Sequence, residues 1–216
     1  MLTRLQVSGF KNLVDVDVRF GPFTCVAGLN GSGKSNLFDA IHFLSALSDH
    51  PLMDAAMMVR DERRRSSEIR SLFHHVGDSY DQKISLVAEM IVPKEGVDDL
   101  GQKVRTSVTF LRYTLVLGYR GSNRLGTQGN LEVLEEELLP ISQRDSQKNL
   151  GFPHSVEWSK SIIKGQRSSK SPLISTVKEG ENTLVKLHQD RTKGKPFSRL
   201  ASDLPRTVLS VANAAE

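Results

Sequence analysis

Gly28, Leu29, Asn30, Gly31, Ser32, Gly33, Lys34 and Ser35 fill the pattern G-x-x-x-x-G-K-[ST] at every fixed position. The chemistry this spacing suits is the holding of a nucleoside triphosphate. Glycines let backbone N–H groups close on phosphate oxygens where a Cβ would collide. Lys34 reaches the β- and γ-phosphates as a point charge, the one side chain here with a catalytic part to play, and the Ser35 hydroxyl is the expected ligand of the bridging Mg²⁺. A helix starting at this point turns unsatisfied N–H groups and its positive dipole end on the same anion.

Such a loop needs a strand before it and a helix after it. Phe23, Thr24, Cys25, Val26 and Ala27 form a short apolar run that predicts a buried strand, with Cys25 as a small core residue. Leu37, Ile41, Leu44 and Ser48, with Phe38 beside them, predict one face of an amphipathic helix. Further upstream, Leu2, Arg4, Gln6 and Ser8 alternate with Thr3, Leu5 and Val7, a first strand. Gly9 to Leu13 make a turn, and Val14, Val16 and Val18 alternate with Asp15, Asp17 and Arg19 as a half-exposed strand that Gly21-Pro22 ends. The opening order is strand, strand, strand, loop, helix.

That order, with Gly-Phe-Lys-Asn-Leu at 9–13, a Gly-Pro-Phe turn and Gly-Leu-Asn-Gly-Ser-Gly-Lys-Ser-Asn at 28–36, resembles the ABC-type ATPase head of the SMC/RecF/OLD group, most closely the bacterial OLD-like AAA family. The resemblance is specific over residues 1–48 and rests on strand pattern alone to about residue 140. It implies a P-loop NTPase fold of mixed α/β (α+β) class, the N-terminal lobe of an ABC-type ATPase with antiparallel β-strands added after the phosphate-loop helix. It implies ATP as ligand, with Asn30 near the γ-phosphate, Asn36 as a mark of these heads, and Lys11 and Asn12 near the phosphate or base side. Surface turn residues are the other reading of those last two. It implies a homodimer or higher oligomer closed by an ATP sandwich, and coupling to DNA or to an effector such as a nuclease, in DNA repair, chromosome maintenance or defence against phage.

Four stretches follow from composition and spacing: a phosphate-loop core over 1–50, a helical and loop insertion over 51–82, antiparallel strands over 83–140, and a basic, loop-rich segment over 141–216. Leu52 to Val59 predict a short helix and Glu68 to Phe73 one more helical turn, before His74-His75, whose surroundings lack metal-ligand spacing. Ile84 to Val92 alternate as a strand. Val108 and Phe110 keep one phase and Tyr113, Leu115 and Leu117 the other, which predicts a β-bulge near Leu111–Arg112 or two shorter strands. Gly118 to Gly129 reads as a loop and Leu131 to Pro140 as a strand, with Glu135-Glu136-Glu137 as its solvated face. Val156 and Trp158 suggest a short strand, Leu173–Val177 and Thr183–Leu187 a hairpin, and Leu209–Glu216 a helix beginning.

The chain of 216 residues carries a net charge of +4. The excess sits late: from residue 151 there are 11 Lys/Arg against 6 Asp/Glu. Lys160, Lys164, Arg167 and Lys170, then Arg191, Lys193 and Lys195, and Arg63-Arg64-Arg65 earlier, suit either nucleic-acid backbone or a solvated loop, and no aromatic residues are interleaved. One cysteine excludes an intrachain disulfide, and neither a signal peptide nor a membrane-length apolar run is present, so a cytoplasmic setting is expected.

Two motifs of this ATPase class are missing: four apolar residues followed by Asp-Glu, which hold Mg²⁺ and polarise water, and a Leu-Ser-Gly-Gly signature, to which Leu209-Ser210-Val211-Ala212 is only superficially similar. The expectation is an N-terminal portion whose ATP hydrolysis is completed by C-terminal segments. Gln82, Gln189 or a residue beyond the end would be the metal-sensing glutamine, and Glu89 and Glu135 are the acids to examine. The alternative is a nucleotide-binding switch or assembly module without hydrolysis of its own. A kinase or GTPase fits less well, because the chain turns antiparallel after its first helix.

Overall fold

Alternation in the first residues becomes strand β1 (Leu2–Ser8), with Thr3, Leu5 and Val7 buried and the even residues half-buried on the other side. The computed structural model describes residues 1–59, 69–97, 101, 103–121, 129–165, 171–188 and 197–212. Strand β2 (Val16–Arg19) pairs back on β1, and the phosphate-loop helix α1 (Lys34–Asp49) and α2 (Leu52–Met58) follow. A 3-10 turn over Ile69–Leu72 leads to a small hairpin, β3 (His75–Val76) and β4 (Ser79–Tyr80), then to β5 (Lys83–Ile91). A second small hairpin, β6 (Glu95–Val97) and β7 (Lys103–Arg105), precedes the long strands β8 (Phe110–Arg120) and β9 (Asn130–Pro140). The remainder runs α3 (Gln143–Asn149), α4 (Val156–Ile162), β10 (Ile174–Glu179), β11 (Asn182–Leu187), β12 (Phe197–Leu200), a 3-10 turn over Ala201–Asp203, and α5 (Val208–Ala212).

Eight strands form one sheet in the order β12-β11-β10-β9-β8-β5-β1-β2, and every pairing is antiparallel. The fold is therefore mixed α/β with an antiparallel sheet, as expected. Its main core lies between one face of that sheet and the α1–α2 layer. Helix α1 buries Leu37, Ala40, Phe43, Ala46 and Leu47 there, and Phe43 stacks on Phe10 with ring centroids 5.9 Å apart. The opposite face is covered at one end by α3 and α4, which enclose Ile91, Phe110, Ile141, Leu150 and Ile163 as a second core, with Trp158 packed on it.

Several expectations need correction. Phe23–Ala27 is not a buried strand: the segment has no ladder bonds, Phe23 is 89% exposed, and Cys25 is exposed. Strand β2 is the sheet's edge, and no described strand lies beside residues 23–27 to pair with them. The buried face of α1 centres on Leu37, Ala40 and Phe43, while Ile41 and Leu44 are half-buried and Phe38 is exposed. The phase change near Phe110 is not a bulge. Phe110 faces the second core and Tyr113, Leu115 and Leu117 the first, so both faces of β8 are apolar at that end. The irregularity in this ladder falls later, where Val116 pairs with Glu135 and Leu117 with Val133, leaving Leu134 as the extra residue. Val156 and Trp158 are helical: the Ser155 hydroxyl accepts the Trp158 N–H, as Ser142 does for Asp145 in α3.

Among the described residues no helix is long and apolar enough to cross a membrane. Arg63–Arg65, Arg167, Lys170, Arg191, Lys193 and Lys195 lie outside the described residues, as does Gln189.

Candidate functional site

Residues 28–33 run as an exposed loop into the amino end of α1. Gly31 and Gly33 have φ of 83° and 95°, the left-handed region that an L side chain resists. A Cβ on Gly33 would also approach the Asn12 side-chain oxygen to 3.1 Å. These glycines are required by the path of the loop.

Three properties of the donor set suit a polyphosphate. No side chain caps α1, and its first turn carries no acidic residue, so its leading N–H groups are left for an external anion. The Lys34 ammonium lies across the loop, donating to the Gly28 and Leu29 carbonyls at 2.7 Å each. It is thus folded over the space the loop surrounds and takes carbonyl oxygens as its acceptors. Ser35 exposes its hydroxyl on the first turn of α1, where a divalent cation held by the phosphates would find a hard oxygen ligand. Leu29, Asn30, Gly31 and Ser32 are all exposed at the top of the loop.

The turn between β1 and β2 reaches the same place. The Asn36 amide donates to the Asn12 side-chain oxygen at 2.6 Å, so Asn12 ties the turn to the first helical residues. Lys11, at a φ of 51°, sends its ammonium the other way, to Asp39 and to the Val59 carbonyl, both at 2.6 Å. The structure therefore brings Asn12 and Asn36 to the phosphate loop and commits the Lys11 charge to the flank of α1.

Glu89 lies elsewhere. It pairs across the ladder with Arg4 and Arg112, fully buried on the face turned away from α1, and one oxygen accepts from Arg112 at 2.7 and 3.1 Å and from Arg4 at 3.4 Å. His74 accompanies Asp81 at 3.2 Å, and no group of His, Cys, Asp and Glu among the described residues is arranged for a metal. Arg4 also clamps Asp17 through two bonds, at 2.6 and 2.8 Å, which holds that carboxyl below the usual carboxylate range.

Two features escape the reading of the sequence. The Arg70 guanidinium sits 5.1 Å from the ring centroids of both Tyr80 and Tyr119, a contact between residues far apart in the chain. Glu136 contradicts the expected solvated face: it is fully buried, while Glu135 and Glu137 lie on the other side of β9. Its signal in the sequence is the loss of alternation at Leu134, which moves the inward positions of β9 from odd to even.

Residues 1–91 match the family model of the RecF/RecN/SMC N terminal domain. The DNA replication and repair protein RecF of Porphyromonas gingivalis (strain ATCC 33277) is 41% identical over 61 residues, 28% of this chain and 17% of that protein. RecF of Clavibacter sepedonicus is 25% identical over 223 residues, 98% of this chain and 53% of that protein. The OLD nuclease of Thermus scotoductus is 49% identical over 41 residues, 19% of this chain and 8% of that protein. The chain thus spans about half the length of the relative it matches from end to end. These matches, to residues 1–91 by the family model and to RecF and OLD nuclease relatives by sequence, support a likeness to the SMC/RecF/OLD group of ABC-type ATPases.

Proposed function

We propose that this chain is the nucleotide-binding lobe of an ABC-type ATPase that serves DNA repair or maintenance in the cytoplasm. The observation that carries the reading is the loop itself: Gly31 and Gly33 in the left-handed region, Lys34 across the loop, and an uncapped 16-residue helix behind it. Backbone N–H groups of residues 31–36 and the Lys34 ammonium hold the phosphates of ATP, and the Ser35 hydroxyl holds Mg²⁺. Bound Mg²⁺ would supply positive charge that neutralises the phosphates. The chain's own residues orient the phosphates and fix the first turn of α1 through Asn12 and Asn36.

Hydrolysis in this proposal needs groups from further polypeptide, either a second copy across an ATP sandwich or a further lobe. Exposed Phe23, Leu29 and Phe38 beside the loop support that reading, since apolar side chains this exposed around a phosphate site call for a cover. The names of the RecF relatives support DNA as the context. The OLD nuclease match keeps a nuclease effector within the proposal.

The test is ATP binding and turnover by the 216-residue chain with Mg²⁺, beside Lys34→Ala. The expected result is Mg²⁺-dependent binding that weakens more than about tenfold in the variant, with negligible steady turnover by the chain alone. Binding that is indifferent to Lys34, or no binding, would overturn the assignment of the loop. Lys34-dependent turnover by the chain alone would overturn the need for a completing partner.

A further inference from the structure

A buried carboxyl on β9 joins several elements at a place that the phosphate site does not use. Glu136 on β9 is fully buried, and both its oxygens are engaged. Oε2 accepts the Val208 N–H at 2.7 Å, and Oε1 accepts the Leu209 N–H at 2.8 Å and the Tyr113 hydroxyl from β8 at 3.1 Å. Its backbone is fastened as well: Glu136 N–H donates to the Thr176 hydroxyl of β10, which donates back to the Glu136 carbonyl. A carboxylate is costly to bury, and this one is held by three donors that converge from two elements, α5 and β8.

The segment it grips is in turn joined to the far end of α1. The Thr207 hydroxyl donates to the Leu47 carbonyl at 3.3 Å and accepts the Ser210 N–H. Arg206 reaches the Asp49 carbonyl at 3.4 Å, and the Leu52 N–H at the start of α2 donates to the Pro205 carbonyl at 2.8 Å. Residues 205–210 therefore cover the carbonyl end of a rigid rod about 24 Å long whose amino end is the phosphate loop. Among the described residues, the Val208 and Leu209 N–H groups at the start of α5 both donate to this one side chain on the sheet.

We propose that Glu136 is a latch: it fixes α5 to the sheet so that the carbonyl end of α1 and the C-terminal segment move as one unit. A displacement of α1 at its loop end is then delivered to α5 and to whatever polypeptide α5 contacts. The delivery, though not the latch, rests on the nucleotide reading above.

Hydrogen–deuterium exchange on the whole chain separates the two parts. Without nucleotide, Glu136→Gln keeps the shape of the side chain but turns an NH₂ toward one of the two backbone donors. It should raise exchange at least about tenfold in peptides covering 205–212 and also in those covering 46–50, while the centre of β5 stays protected. Faster exchange confined to 205–212 would overturn the latch. With saturating ATP and Mg²⁺, the wild-type chain should change its exchange at 205–212, and Lys34→Ala should not. Glu136→Gln should bind nucleotide within about threefold of wild type yet lose the change at 205–212. A change that persists in Glu136→Gln would overturn the coupling. Failure of the wild-type chain to bind nucleotide would instead strike the functional reading and leave the first arm to decide the latch. Should Glu136→Gln unfold, Thr207→Val, which removes the hydroxyl's bonds to Leu47, Ser210 and Tyr113 and leaves the carboxylate in place, must abolish the nucleotide-linked change; if it does not, the proposal is wrong.

Discussion

Asn12 stands between two parts of the candidate site, with its side-chain oxygen under the Asn36 amide and its side chain against Gly33. Asn12→Ala removes the acceptor and opens space below the loop, so nucleotide affinity should fall about three- to tenfold with a stability loss near 1 kcal/mol. Calorimetric titration beside a thermal melt separates the two effects, and lost stability with unchanged affinity would show Asn12 to be merely structural. Two carboxyls set opposite pH dependences. Asp17, paired with Arg4, has a folded value below the ordinary one, so its stabilisation is present above the usual carboxylate range and is lost as pH falls through the depressed value. Glu136 is raised by burial, against which the N–H groups of Val208 and Leu209 and the Tyr113 hydroxyl work. Its contribution is complete below the usual carboxylate range and declines as pH climbs through the raised value. Denaturant titrations from pH 3 to 8 should therefore show Asp17→Asn flattening the acid limb and Glu136→Gln flattening the decline above it (pH bounds are about those of carboxylate titration). No flattening in either variant would mean that other groups set the profile.

At the level of elements, the legible parts were those with a local cause. The alternation of β1, the helical span after Lys34 and the β10–β11 hairpin around Gly180 each follow from neighbours in sequence, and each is present. What was missed depends on contacts made at a distance. The apolar run 23–27 reads as a strand because of its residues, yet a strand needs a partner, and sequence alone does not reveal that β2 ends the sheet. Likewise Glu136 is turned inward by one extra residue, Leu134, with no turn or glycine on β9 to announce it. Helices α3 and α4 were hidden for another reason: α3 carries no apolar residue to set a period, and in α4 Val156 and Trp158 alternate as a strand would. Their starts are nevertheless written in Ser142 and Ser155, whose hydroxyls accept the N–H three residues on. Removing either cap should cost about 1 kcal/mol. Since both helices close the same second core, Ser142→Ala and Ser155→Ala together should cost more than the sum of the singles if α3 and α4 form cooperatively, which chemical denaturation of the three variants measures. Simple additivity would mean that the two helices fray independently.

Taken whole, the molecule is finished on one side and open on the other. The sheet packs α1 and α2 on one face and carries α3 and α4 at the end of its other face, and both cores are filled by large buried side chains. Around the phosphate loop the balance reverses: Phe23, Leu29 and Phe38 are 89%, 85% and 56% exposed, and residues 23–27 leave their backbone groups unpaired by any described strand. These residues contribute little to holding this chain together, because what is already in water loses no burial when it is replaced. They should instead govern what the chain adheres to, since apolar surface and an unpaired backbone edge both promote association. Phe23→Ser with Phe38→Ser is therefore expected to leave the melting temperature within about 2 °C of wild type, because surface substitutions away from packed contacts are usually neutral. The same pair should lower self-association in sedimentation velocity at concentrations of about 10–100 μM, the range in which weak apolar contacts populate. A melting temperature reduced by about 8 °C or more would place these rings inside a packed core and refute the open face. Unchanged association with unchanged stability would show that neither ring promotes self-association of this chain.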